Sequence, residues 1–277
     1  MVALFWFTIR QSLRLRKLWF VLLVLAGPCA LALLIRHFEV TNQLEGVWKL
    51  YHIPMLFLFF MIGLPMVCML YGSSLIGSEV DGRTLGYLTT RRMRRETVLL
   101  VRFAAGWLLL TVLAQLAVAA FHLCNLVGLD IDRLNAVADA AGDRPWEPWR
   151  DLFCYLRVVP FAVAAFLAVF TLLSLILRRP LIISLAYLVF LEMVVSNAPL
   201  KAQIYTITHQ LRQMLKASIP NLLDAFPPFR SRAVIEALYP PGATGSIPLI
   251  IVVVAALALA CVAMRTRELV PAKTGRD

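Results

Sequence analysis

Ser73–Phe103 reads SSLIGSEVDGRTLGYLTTRRMRRETVLLVRF. It joins two apolar runs, Tyr51–Gly72 and Val98–Gly128. Each is long enough to cross a bilayer as a helix, which takes about 20 residues. The stretch carries Glu79, Asp81 and Glu96 against Arg83, Arg91, Arg92, Arg94, Arg95 and Arg102. Short loops rich in Lys and Arg stay on the cytoplasmic side of a membrane. Ser73–Ser78 extends the preceding helix into the cytosol, and Glu79-Val80-Asp81-Gly82 breaks it, with Gly82 as a helix C-cap. Thr84 caps a second, short helix whose apolar residues are Leu85 and Leu88. Arg91–Arg95 turns the chain and Glu96 opens the next span. A short helix at the foot of two spans can receive a push from a soluble partner. Charge alone fits a plain positive-inside anchor as well.

The composition agrees with a polytopic membrane protein. Of 277 residues, 61% are hydrophobic and 16% charged, whereas soluble domains have about 45–50% apolar and about 25% charged residues. The net charge of +11 lies in short clusters beside apolar runs, not along one groove. It therefore reads as topology and anionic-lipid contact rather than nucleic-acid binding. Six spans are expected, at about 18–35, 51–72, 98–128, 152–177, 181–198 and 247–264, in a single permease-like domain over 1–277. The fold class is all-α integral membrane. With both termini cytoplasmic, Arg10, Arg14, Arg16, Lys17, the loop arginines, Arg178, Arg179, Arg265, Arg267, Lys273 and Arg276 all fall inside.

Several smaller expectations follow. Met1–Lys17 suits an interfacial helix. Ala30-Leu31-Ala32 has the small-x-small form of a cleavage site, but the apolar run continues to Ile35, as in an uncleaved anchor. Gly63 and Pro65 mark a kink in span two. Trp146 and Trp149 suit an interfacial aromatic belt at the end of the polar Asp130–Asp151 loop. The outer segment 199–246 holds an amphipathic helix over Gln203–Lys216, lying against the membrane or a partner. Its apolar stripe is Ile204, Ile207, Leu211 and Leu215, with His209, Arg212 and Lys216 elsewhere.

Residues that could carry chemistry are few. Glu192 lies inside span five, and Arg157 lies about 9 Å into span four at about 1.5 Å per residue. Buried charges of this kind pair or face a cavity, so they either lock two helices together, line a pathway or do not meet. Met61, Met66, Cys68 and Met69 are soft ligands of the type Cu(I) takes, but they are also ordinary packing residues, and no metal site is assigned. The cysteines Cys29, Cys68, Cys124, Cys154 and Cys261 have no zinc spacing. Cys124 and Cys154 are both placed near the outer face, where one disulfide is conceivable but no spacing supports it. His37, His52, His122 and His209 are placed outside or at the outer interface, and His122 and Asn125 need no special role there. No catalytic constellation is legible, so a non-catalytic subunit is expected. No G-x-x-x-x-G-K-[ST] occurs, so any ATP that drives the protein is bound by another chain.

Glu79, Gly82, Thr84, Leu85, Leu88, Arg95 and Arg102 follow the pattern E-x-x-x-G-T-L-x-x-L, with Gly82 one position early, then Arg, then Lys/Arg seven residues on. In this the chain resembles the first cytoplasmic loop of type-2 ABC exporter permeases. It departs at Arg92, where that family often has Pro, and at Gly86, where an acid is common. The sharp motif covers about thirty residues; the pattern of spans agrees along the chain. The resemblance implies an inner-membrane permease subunit working as a dimer. It also implies a separate ATPase that binds ATP and Mg and docks on the helix around Thr84–Thr90, with Glu79 and Arg83 holding the loop. The rival class is a membrane scaffold or assembly factor whose 199–246 segment recruits an extracytoplasmic partner. The substrate is not legible.

Overall fold

A computed structural model describes residues 5–6, 8–10, 15–38, 48, 51–81, 95–127, 130–132, 135–136, 145–177, 180–196, 201–219, 222 and 245–266. These are helical with short connections, and no strand occurs among the described residues. In chain order, α1 is Leu15–Phe38, and a π-helical stretch Met55–Gly63 leads into α2, Leu64–Asp81. Then come α3 (Arg95–Leu126), α4 (Pro148–Ile176) and α5 (Pro180–Tyr187), the last continued by a second π-helical stretch, Leu188–Val195. A 3₁₀ turn Lys201–Tyr205, α6 (Ile207–Ser218) and α7 (Ser246–Thr266) are the remaining described elements.

Among the described residues, four helical stretches are long and apolar enough to cross a membrane: Tyr51–Ser74, Glu96–Leu126, Pro148–Ile176 and Ser246–Arg265. Trp19–Leu31 and Pro180–Val195 are shorter apolar helices at the first and fifth expected spans. The chain is thus a multi-pass helical membrane protein.

α4 is the central rod. It packs on α2, α3, α5, α6 and α7, and Val159, Ala162, Ala165, Phe166, Leu167, Ala168 and Phe170 are sealed from the surface. Lipid tails are as apolar as leucine, so close packing rather than water exclusion holds spans together, and small residues allow backbones to approach. Ala162, Ala165 and Ala168 do this along α4, and Gly72 does it on α2. A Cβ at Gly72 would lie 2.8 Å from the Phe170 Cβ and 3.1 Å from the Thr171 amide nitrogen.

Two prolines shape the bundle. Pro160 lies inside α4. It has no N–H for the carbonyl four residues back, that of Leu156. The Gln115 side chain of α3 donates to this carbonyl instead, at 3.4 Å, and the Trp107 indole donates to Pro160 O at 3.0 Å. The helix break thus supplies the α3–α4 contact. Gln115→Leu should lower stability by about 1 kcal/mol, the net value of one hydrogen bond. In a Pro160→Ala background the loss should vanish, because residue 160 then caps Leu156 itself. Thermal midpoints of the two singles and the double in detergent micelles check this; an unchanged Gln115→Leu effect in both backgrounds contradicts it. Pro65 ends the first π-helical stretch, where the Leu64 amide bonds back to Phe59 O five residues earlier. The deformation expected at Gly63 and Pro65 is therefore a π-helical turn.

Two ends of the bundle can be told apart. Arg265 of α7 pairs with Glu96 at the start of α3. At the far end of α3, the His122 ring meets Tyr51 at the start of the second span.

The segment between spans five and six differs from expectation. The helix starts at Ile207, not Gln203, and Ile204 is exposed on the 3₁₀ turn. Ile207, Leu211 and Leu215 do face the core, but Thr208, His209, Gln210 and Arg212 are buried too. The helix is covered on both sides because it lies between α4 and α7. A sequence stripe reports only the apolar face and cannot show that a polar face is covered as well.

Candidate functional site

Two buried polar clusters tie the spans together. The first lies at the end of the bundle away from Glu96. Tyr51 and His52, adjacent in sequence, reach different helices. The Tyr51 hydroxyl meets His122 Nδ1 of α3 at 2.9 Å. His52 Nδ1 meets the Tyr155 hydroxyl of α4 at 2.7 Å, and its Nε2 approaches Asp151 Oδ2 to 3.2 Å. His52 Nε2 nevertheless has no partner with hydrogen-bond geometry. The Trp146 indole donates to the same Asp151 oxygen at 2.9 Å. The Asn135 side chain holds the Trp146 backbone at both its amide and its carbonyl, at 2.9 and 3.1 Å. Tyr51 packs edge-on against His52, His122 and Trp146.

This cluster was not legible in the sequence. Tyr155, His52 and Asp151 line up in the order hydroxyl, imidazole, carboxylate, yet His52, His122 and Tyr155 are wholly buried. In this state the Tyr155 hydroxyl meets no solvent, so what the arrangement does is fasten three helix ends. His122, for which its place near the outer interface implies no special role, is a buried ring whose Nε2 has no hydrogen-bond partner.

The second cluster centres on Glu192, which is completely buried in the second π-helical stretch. Its Oε1 accepts from the Ile207 amide at 3.1 Å and from the Tyr187 hydroxyl at 3.1 Å. Its Oε2 accepts from the Thr208 amide at 2.9 Å and the Thr208 hydroxyl at 2.6 Å. Thr206 then caps α6 by accepting from the His209 amide at 3.3 Å, and the Thr206 carbonyl takes the Gln210 amide at 3.4 Å. The four amides that begin a helix have no partner within it; those of Ile207, Thr208 and His209 bond as described, and that of Thr206 donates to Gln203 O at 2.9 Å. A carboxylate at this end also opposes the positive end of the helix dipole.

α6 reaches the other π-helical stretch as well. Arg212 makes long contacts to Ser196 O (3.5 Å) and to the Met61 sulfur (3.6 Å). The Ser196 hydroxyl donates back to the Glu192 carbonyl. Thus α6 is joined to span two through Met61 and to span five through Glu192. Gly245, just before α7, allows this seating: a Cβ there would overlap the Gln210 carbonyl oxygen and lie 2.9 Å from its carbon.

Of the residues singled out from sequence, Glu192 is central to this second cluster. Arg157 is exposed and does not pair with it; Glu192 finds its partners on α6 instead. Met61, Cys68 and Met69 are buried in the core, where the Met61 sulfur takes the Arg212 contact. Among the described residues no group of three His, Cys, Asp or Glu side chains converges as a metal site.

Arg102, expected on the loop, is a correction. α3 begins at Arg95, so Arg102 lies about two turns inside the helix and is buried, with 3% exposure. Helix α2 is described as far as Asp81, so Glu79 lies on helical backbone. Gly82, Arg83, Thr84, Leu85 and Leu88, with the short helix expected there, lie outside the described residues. So does most of the outer segment beyond Leu222. Comparison with known proteins finds no family model that matches this chain and no curated protein similar to it.

Proposed function

We propose that this chain is the membrane-spanning permease subunit of an ATP-driven exporter in the inner membrane, paired with a second permease subunit and with a separate ATPase. The observation that carries the reading is the loop between α2 and α3. Its basic residues and its E-x-x-G-x-T-L-x-x-L spacing stand between two helices long and apolar enough to cross a membrane. Positive charge there favours the cytoplasmic side, where an ATPase can reach it. In this reading ATP and Mg stay in the partner chain. Closure of the ATPase moves the helix around Thr84–Thr90, with Glu79, Gly82, Arg83, Leu85, Leu88 and Arg95 shaping the contact. The motion passes into spans two and three and opens a pathway between the two permease subunits.

The clusters support a mechanical role. Span two is fastened at its outer end through Tyr51 and His52 and at its middle through Met61, so movement at its foot is transmitted to α4 and α6. The rival reading is a scaffold that recruits a partner through 199–246 without transport; no observation favours it over the exporter.

The test has two arms. The tagged full chain, isolated from its native membrane, should bring with it a Walker-motif ATPase whose turnover falls at least tenfold in Gly82→Pro or Glu79→Ala. Both variants should insert normally, and the purified chain alone should hydrolyse no ATP. The second arm places cysteines at 83 and 90 in a cysteine-free chain and labels intact cells with a membrane-impermeant maleimide. Labelling from outside would put the loop beyond the reach of any cytoplasmic ATPase and end the proposal.

A further inference from the structure

Two spans depart from the α-helix, and one side chain touches both departures. In the first π-helical stretch, Met55–Gly63, the Leu64 amide reaches back five residues to Phe59 O. In the second, Leu188–Val195, the Ser196 amide reaches back five residues to Leu191 O at 3.2 Å. The α-helical pairing is four residues back. A π turn inside an α-helix therefore holds a surplus residue, and such turns recur at functional sites. Arg212 of α6 reaches the Met61 sulfur through Nη2 at 3.6 Å, inside the first stretch. Through Nη1 it reaches Ser196 O at 3.5 Å, at the end of the second. The same α6 binds the Glu192 carboxylate, within the second stretch, through the Ile207 and Thr208 amides.

We propose that the two π-helical stretches are the halves of one conformational switch, held in the wide form by the seated helix α6, with Arg212 as the pin common to both. Span two is fixed on either side of its wide turn. Tyr51 and His52 hold its beginning on α3 and α4, and the close approach of Gly72 to Phe170 holds α2 on α4. The surplus residue is stored between these fastened points. When it moves along the helix, each residue it passes turns by about 100°, one step at 3.6 residues per turn, while the ends stay in place. Met61 cannot make that turn and keep its contact with Arg212. Glu192 cannot make it and keep its bonds to Ile207, Thr208 and Tyr187. The wide form of each stretch and the seating of α6 therefore require each other, and through α6 spans two and five change together.

The consequence is a link along the bundle. Helix α2 continues from the first stretch to Asp81, where the basic loop begins. If that loop receives an ATPase, as in the proposed function, the seating of α6 is reported to it through span two. Only this last step rests on that reading. The experiment below uses neither ATP nor transport, so its failure removes the switch and leaves the exporter reading to its own test.

Hydrogen exchange of the full-length chain in detergent, read by mass spectrometry over 55–64 and 188–196, is the measurement. In the wild type the two stretches, far apart in sequence, should open as one unit with a single dependence on denaturant. Arg212→Met keeps the apolar stem and removes the guanidinium. It should raise exchange in both stretches by about tenfold, the low end for a hydrogen bond from a charged group. Ser218→Ala removes a hydroxyl bonded within α6 to Met214 O at 3.3 Å and should change neither stretch. A rise in one stretch alone, in neither, or equally in Ser218→Ala overturns the proposal. So do separate openings in the wild type, a result that requires no variant to fold. Deletion reads the surplus residue directly. Removing Leu58 should leave a folded chain with a thermal midpoint within about 4 °C of wild type, the scale of a minor packing change, because the registers at Tyr51 and Gly72 are kept. Removing Leu109 from α3, which is α-helical throughout, should abolish monodisperse protein. A Leu58 deletion as damaging as the Leu109 deletion also overturns the proposal.

Discussion

Glu192→Ala should lower stability by about 3–5 kcal/mol, the range found when one partner of a buried, charge-bearing interaction is removed. The carboxylate accepts from two backbone amides at the start of α6, from the Thr208 hydroxyl and from the Tyr187 hydroxyl. Alanine leaves those donors sealed from water and unpaired, and each unmet group adds to the loss. Glu192→Gln should cost less, because the amide oxygen still accepts. Its NH₂, however, then faces donors. Arg157→Gln is the control. Arg157 is exposed and does not touch Glu192, so its change should stay within about 0.5 kcal/mol. Thermal unfolding midpoints in one detergent rank the three. Equal losses for Arg157→Gln and Glu192→Ala would mean that the two charges act as a pair and that the capping assignment is wrong. Hydrogen exchange over 207–218 supplies the local readout: it should rise in Glu192→Ala and stay unchanged in Arg157→Gln.

Gly72→Val should be the second large effect, about 1–3 kcal/mol or more, as for overpacking of a close-packed interior. The first added carbon would already lie 2.8 Å from the Phe170 Cβ and 3.1 Å from the Thr171 amide nitrogen. These atoms belong to the backbone and first side-chain carbon of α4, so no rotamer change relieves the overlap. The helices must separate, and α4 is the rod on which the rest of the bundle packs. Thr171 is held in place by its own hydroxyl bond to Leu167 O at 2.7 Å, which makes local yielding harder. Gly72→Ala should lose less than valine but retain the same sign. The check is the yield of monodisperse protein together with its thermal midpoint. A valine variant as stable as wild type would show that α2 and α4 are further apart than described.

These two positions differ in how far the sequence reveals them. Glu192 stands out because a carboxylate in an apolar run is costly, and it proves to be the centre of a network. Its partners were not legible. They are backbone amides fifteen and sixteen residues away, at the start of a helix expected to begin four residues earlier. Gly72 carried no signal at all, since a glycine at the end of an apolar run is equally at home in a cap, a kink or a crossing. His52, Asp151 and Tyr155 are a further case. Residues 52 and 151 each sit near the start of a helix, and nothing local links positions ninety-nine residues apart.

What the sequence determined was the membrane-spanning helical class and the positions of the long spans. Hydrophobicity is a property of consecutive residues, and a bilayer accepts only backbone that satisfies its own hydrogen bonds. The basic connection between Asp81 and Arg95 was equally plain, because charge is read along the chain. Only the tertiary structure decided that α4 is the central rod, that the helix after span five is seated within the bundle, and that Glu192 caps it. Each of these depends on which faces of separate helices meet, and that is set by close packing and by pairing of buried polar groups across long stretches of chain.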